Sequence, residues 1–262
     1  MAEPSRTAPR PSGAGEMLQL LRDGQPRTRA DLAAATGQAR STIAARVDLL
    51  LASGLVAPSG EATSTGGRPP ATFAFNPAAR LVLAVDLGAT HAHLAVTDLA
   101  GAVLAEHEEP LAIADGPGPV LERVVVLGRK LLVETGRPEG DLAGVGVGLP
   151  GPVDHASGRP VNPPIMPGWD GADVIGTLTA ALGAPVLVDN DVNAMALGEH
   201  ASAWPGVDHL LFVKVATGIG SGIISGGAIQ RGAQGAAGDL GHVAVPGGAA
   251  VECRCGSTGC LD

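Results

Sequence analysis

The sequence predicts an α/β protein in two parts, a small winged helix-turn-helix segment followed by a larger body of strands and helices. Three observations carry this expectation. Residues 16–53 place apolar side chains at helical spacing and are followed by two short strand-like runs around a Gly/Pro-rich tip. From Leu81 the pattern changes to strands separated by turns that carry acids and glycines. The charge divides at the same place: residues 1–80 hold nine arginines against six acids, a net +3, and the rest is −12. A basic front on an acidic body suits a chain of which only the front approaches an anionic polymer.

Composition sets the outer bounds. The chain has 262 residues, 45% of them hydrophobic, enough for a substantial core. Its 39 glycines and 21 prolines imply many turns or close backbone contacts, without the strict three-residue period of collagen. The first residues are polar and Pro-rich, which is unlike a secretory signal. The weakly polar run at 210–229 contains Lys214 and is mostly small residues, which makes a poor membrane span. The expectation is therefore a soluble, cytoplasmic protein with no membrane partner. In that compartment, three cysteines confined to the last ten residues favour a metal site over a disulfide framework.

The first part is expected to comprise a disordered arm over 1–13 and a DNA-binding domain over 14–78. Its three helices fall at about 16–22, 29–36 and 40–53. Thr28, three residues before Asp31, offers a variant capping box, and Gly37 supplies the tight turn between the second and third helices. Strands near Leu55–Ala57 and Thr72–Phe75 form a wing whose tip, "STGGRPP", carries Arg68, a guanidinium suited to a narrow minor groove. Arg40, Ser41, Thr42 and Arg46 lie near the start and outer face of the third helix, where a recognition helix meets phosphates and base edges of operator DNA. The alternative is a small helical domain that binds protein or caps the core.

In the body, Leu81–Val85 reads as a buried strand, Asp86–Thr90 as a turn, His93–Thr97 as a second strand and Asp98–Gly101 as the next turn, with a third strand in "AVLAEHEEP". An acid followed by a Gly-bearing hairpin can hold a phosphate on its backbone amides. At the other end, His242 with Cys253, Cys255 and Cys260 offers one imidazole and three thiolates, a set suited to tetrahedral zinc. Four protein ligands leave no open position, so such a zinc is structural. The alternative is a group of reduced thiols without a metal.

Several motifs in order resemble the ROK family of repressors, open reading frames and sugar kinases. They are "DLGAT" with Asp98 and Gly101, "GVGVGLPGPVD", "VNPPIMPGWDG", "VLVDNDVNAMALGEH", "VATGIGSGII", "GAAGDLGHV" and "CRCGSTGCLD". In the first part, "GLV" followed by a wing bearing "GGRPP" is similar to the winged helix of sugar-responsive bacterial repressors. The resemblance covers about residues 10–262. It implies an actin-like ATPase (ribonuclease H-like) domain over 79–262, C-terminally incomplete because family members continue past the zinc motif.

The resemblance also implies roles for individual residues. Asp86, Gly88, Thr90, Thr217, Gly218 and Gly220 would form the phosphate loops; Asn162, Asn190, Asp191, Asp239, His242 and Asp262 would contact a sugar. Asp191 would be the general base of a kinase using ATP and Mg2+, although an Asp at a strand–helix junction also serves as a helix N-cap. Departures from the family pattern weigh against catalysis. Asp239 and Asp262 replace Glu and are each shorter by one C–C bond, ~1.5 Å. Ala89 and Ala216 put methyl groups where glycine backbone would approach phosphate, and His91 replaces a basic residue. The implied function is a sugar-responsive transcriptional regulator, foremost a repressor, acting on operator DNA as a homodimer or higher homo-oligomer. The alternative is a glucokinase-like ATP-dependent hexose kinase, and a third possibility is a non-functional remnant.

Overall fold

The computed structural model describes residues 13–62, 69–233, 235–246 and 251–261. The arm expected over 1–13 (Gly13 apart), Arg68 at the wing tip and Asp262 lie outside the described residues. Contacts divide the chain into two units, one of residues up to Arg80 with 98–102, the other of 81–97 with 103 onward.

The first unit has helices α1 (Ala14–Leu21), α2 (Arg29–Thr36) and α3 (Arg40–Ala52), and strands β1 (Arg27–Thr28), β2 (Val56–Glu61) and β3 (Ala71–Phe75). The helical period works as expected: Met17, Leu21, Leu32, Ile43, Val47 and Leu50 meet Val56 and Phe73 in one apolar cluster. The capping box at α2 is complete, with Asp31 N–H donating to Thr28 Oγ1 at 3.1 Å and Thr28 N–H to Asp31 Oδ2 at 2.8 Å. Gly37 ends α2 at φ +68°, a conformation that favours glycine, and so allows the tight turn into α3. Strands β2 and β3 form the antiparallel hairpin, with β1 added on the far edge of β3.

The body is built on a five-stranded sheet of β4 (Leu81–Leu87), β5 (His91–Asp98), β6 (Val103–Pro110), β7 (Leu142–Leu149) and β10 (Val186–Asn190), ordered β10-β7-β4-β5-β6. Counted in chain order within the sheet, this is 5-4-1-2-3. Strand β5 runs antiparallel to β6, while β4, β7 and β10 are mutually parallel. This is the arrangement expected of the actin-like fold. Between these strands lie α4 (Pro117–Glu134), the small pair β8 (Val153–Asp154) and β9 (Arg159–Pro160), and α5 (Val174–Leu182). Beyond β10, α6 (Asp191–Ser202) packs on a second antiparallel sheet, β11 (His209–Val215), β12 (Ile219–Ser225) and β13 (Ala228–Gln230).

Alternation explains the main core. Leu81, Leu83, Val85 and Leu87 of β4 point one way and are buried, as are Ala92, Leu94 and Val96 of β5. They meet Val120, Val124, Leu127 and Leu131, one stripe of α4. Gly128 lets α4 pack closely on β4: a Cβ there would stand 2.8 Å from Leu83 Cδ2, which would have to shift. The loop at 161–171 is anchored by Trp169, which is fully buried and donates its Nε1–H to the carbonyl of Ile113 at 2.9 Å. Between β6 and α4 the guanidinium of Arg123 forks onto Glu109, Nε and Nη2 each 2.7 Å from a carboxylate oxygen. Against the opposing effect of partial burial, Arg123 first and then His107 hold the Glu109 carboxyl down at about 2.

Two outcomes are expected from this packing. Trp169→Ala should cost about 3–5 kcal/mol of unfolding free energy, measured by urea denaturation, and Trp169→Phe less, leaving only the Ile113 carbonyl unpaired. For Glu109, whose folded value lies below its ordinary 4.5, the ion pair contributes above that value and is lost as pH falls through about 2. Glu109→Gln should therefore flatten the acid limb of melting midpoint against pH between about 4.5 and about 2.

Candidate functional site

One cavity of about 410 Å³, within the size range of small-molecule pockets, opens where the ends of β4, β7 and β10 face α6 and the β11–β12 hairpin. Asn190 and Asp191 enter it from the β10–α6 junction. The helix cap at this junction belongs to Asn190: its Oδ1 accepts the Val192 N–H at 2.9 Å, and its Nδ2 donates to the Gly151 carbonyl at 2.8 Å. Asp191 is the first helical residue, and its side chain is only 7% exposed. Its Oδ1 also receives the Val192 N–H, at 2.8 Å, and its Oδ2 receives Lys214 Nζ at 2.7 Å. A buried carboxylate is thus neutralised by an ammonium from β11.

The hairpin that bears Lys214 turns at Ala216–Gly218, closed by Ala216 N–H to the Gly218 carbonyl at 3.0 Å. Thr217, Gly218 and Gly220 line the cavity with the methyl of Ala216. On the opposite wall, Gly88 and Ala89 are joined by His91. The His91 ring lies directly on Gly88; a Cβ at Gly88 would stand 2.1 Å from it, so any larger residue there would have to displace the ring. His91 Nε2 is also 3.7 Å from Asp86 Oδ2.

Asp239 and His242 enter from the loop after β13. Gly238, at φ +89°, is pressed against β12, its carbonyl accepting the Ser221 N–H at 2.9 Å and Ser221 Oγ at 2.7 Å. A short 3-10 turn, Leu240–His242, follows. His242 Nδ1 is 3.4 Å from Cys253 Sγ, Cys255 Sγ is 3.7 Å from Cys260 Sγ, and all four donor atoms lie within 4.8 Å of one another. A tetrahedral zinc with Zn–S near 2.3 Å and Zn–N near 2.0–2.1 Å has edges of about 3.8 Å (S···S) and about 3.6 Å (S···N). The cluster can hold a metal, and its spacing is consistent with zinc. The backbone N–H of Ser257 holds the Cys255 thiol down to about 7, while burial, and then the neighbouring Cys255 thiol, push Cys260 up to about 12. The thiols resist a second negative charge until a cation shares it.

The expected residues are therefore only partly convergent. Asn190, Asp191, Asp239, His242, Gly88, Thr217, Gly218 and Gly220 line one cavity. Asn162 is not among its described lining residues; it is exposed at φ +43°, donating its N–H to Asp170 Oδ1 at 2.8 Å, while Pro164 and Ile165 of the same loop reach the cavity. Asp86 and Thr90 are also off the lining, and Thr90 faces a shallow groove beside Glu109 and Arg123. The Asp98 carboxylate accepts the N–H groups of Ala100 and Ala102 at 2.8 and 3.0 Å, and so closes its own turn at the far end of β5. Lys214, Glu252 and Arg254 line the cavity without having been expected there. Lys214 had a signal, being one of two lysines in the chain, on a strand that leads into a predicted phosphate loop.

In the first unit, Arg40, Ser41 and Thr42 are exposed at the start of α3, which has no side-chain N-cap among the described residues. Arg46 is half-buried, and its Nη1 donates to Gln38 Oε1. No helix among the described residues is long and apolar enough to cross a membrane.

The ROK family model matches residues 82–262. A xylose repressor of Caldicellulosiruptor bescii is 28% identical over 94% of this chain and 61% of its own length. A glucokinase of Halalkalibacterium halodurans is 33% identical over 70% of this chain and 56% of its own. Among solved structures, a ROK family transcriptional regulator, a homologue of the E. coli MLC protein, superposes with a TM-score of 0.77 at 26% identity, covering 95% of this chain and 62% of that one. The chain spans about three-fifths of the length of the repressors it matches. With the family model covering more than half of the sequence and the motifs gathered around one cavity, the chain belongs to the ROK family.

Proposed function

We propose that this chain is the DNA-binding and sugar-sensing part of a transcriptional repressor, with operator DNA bound by the first unit and a hexose or hexose derivative held in the cavity. One observation carries the reading. The match to the xylose repressor takes in 94% of the chain, more than the body alone contains, so it includes most of the helix-turn-helix unit. The glucokinase match takes in 70%, about the size of the body. Arg40, Ser41 and Thr42, exposed on α3, suit phosphate and base-edge contacts. Since one small winged helix makes few contacts and operators are commonly two-fold, a homodimer or higher oligomer binds the DNA.

In the cavity, Asn190, Asp191, Asp239 and His242 supply donors and acceptors for sugar hydroxyls. The kinase alternative assigns Asp191 as general base with ATP and Mg2+. Two features favour retention of the sugar without transfer: Lys214 and the Val192 amide engage the two oxygens of Asp191, and the His91 ring covers Gly88. Zinc held by His242, Cys253, Cys255 and Cys260 would be structural, pinning the loop on which Glu252 and Arg254 face the cavity. The protein acts in the cytoplasm. Sugar binding biases the DNA-binding unit through its differential affinity for two states.

Titration of DNA from upstream of the chain's own gene, at fixed salt and with a panel of neutral and N-acetylated hexoses and D-xylose, tests the reading. One sugar is expected to shift DNA affinity, and Asp191→Asn to abolish the shift while leaving sugar-free DNA binding in place. ATP-dependent consumption of sugar, lost in Asp191→Asn, would overturn it in favour of the kinase. Metal removal by a chelator should lower the melting midpoint and abolish the sugar response, both restored by one equivalent of zinc.

A further inference from the structure

The cavity is walled by two segments far apart in sequence, the β10–α6 junction with Asn190 and Asp191, and the loop after β13 with Asp239 and His242. Among the described residues an ion pair links them directly. Asp189, the residue before Asn190, is mostly buried, with its side chain 14% exposed. Its Oδ2 receives both Nε and Nη2 of Arg231 at 2.7 Å each, and its Oδ1 receives Asn193 Nδ2 at 2.9 Å and the Asn190 N–H at 2.8 Å. His155 Nδ1 stands 3.7 Å from the same Oδ2. Arg231 opens the loop: its carbonyl accepts the Ala237 N–H at 3.0 Å, closing a turn just ahead of Gly238 and Asp239. Farther along, Gly235 is pressed on Val153, where a Cβ would stand 2.1 Å from the carbonyl oxygen.

We infer that Arg231 is a positioning residue: its fork onto Asp189 sets the separation between the Asn190/Asp191 and Asp239/His242 walls, and so the affinity of the cavity for its ligand. The affinity part rests on the reading of the cavity as a sugar site; the positioning part stands without it. Arg is suited to this task because its planar fork fixes direction as well as distance, which a lysine ammonium does not. Breaking a mostly buried pair from either side leaves the other charge uncompensated, so both partners should show the same effect.

Hydrogen exchange on the full 262-residue chain, comparing wild type with Arg231→Gln, Asp189→Asn and the double variant, tests the positioning. The expected result is exchange over 235–242 faster by roughly tenfold in each single variant, no further gain in the double, and unchanged rates in β4 and β7. Arg231→Lys, which keeps the charge and loses the fork, should fall between. Unchanged rates over 235–242 would overturn the inference, as would an increase shared equally by β4 and β7, which marks plain support of the fold. Calorimetry with D-glucose and D-xylose supplies the second arm, with roughly tenfold weaker binding expected in the single variants. Wild-type affinity in a variant with a loosened loop would overturn the link to ligand binding. Absence of binding heat for both sugars in the wild type would count against the sugar reading, while the exchange data would still decide the positioning role.

Discussion

The cavity depends on how a strand becomes a helix at residues 189–191. Three consecutive polar residues at the β10–α6 junction are each held in place: Asp189 by Arg231 and Asn193, Asn190 by the Gly151 carbonyl and the Val192 amide, Asp191 by Lys214 and the same Val192 amide. The strand cannot continue there, because Asn190 satisfies an N–H at the start of α6 and fixes the change of direction. The partners come from four segments: the turn after β7, α6 itself, β11, and the loop after β13. One strand end thus brings both sheets of the body and the loop leading to the His/Cys cluster to a common point.

Much of this was legible because the fold writes itself in two periods. The stripe Met17, Leu21, Leu32, Ile43, Val47 and Leu50 is readable at 3.6 residues per turn, and the alternation along β4 at two. The His/Cys cluster was legible from composition, since all the thiols lie in one stretch. Strand β1 was not: two residues carry no period, and Arg27–Thr28 becomes a strand only because β3 offers an edge. The turn at Asp98–Gly101 was legible, but what its acid holds was not. An acid before a glycine turn has the same local sequence whatever it binds, and here Asp98 accepts the amides of Ala100 and Ala102.

Long-range pairs were the least legible. Nothing local marks Arg231 as the partner of Asp189, 42 residues away, or Lys214 as the partner of Asp191. Both depend on the second sheet folding back over α6, which glycine permits. Gly222 lies so close to that helix that a Cβ would stand 2.5 Å from the Val192 carbonyl and from the Ala196 methyl. The same closeness that lets β12 pack on α6 brings β11 near enough for Lys214 to reach the carboxylate.

The sealed indole of Trp169 has a consequence for how the molecule reports on itself. The chain contains no tyrosine and two tryptophans. Trp169 is fully buried against Ile113, whereas Trp204, just past α6, is 54% exposed and donates its Nε1–H to Glu199 at 3.2 Å. Intrinsic emission therefore has two components, a blue one beyond the reach of an aqueous quencher and a red one open to it. The first follows the integrity of the main core, and the second follows the helix that begins at the cavity, so a single unlabelled sample separates unfolding from movement of α6.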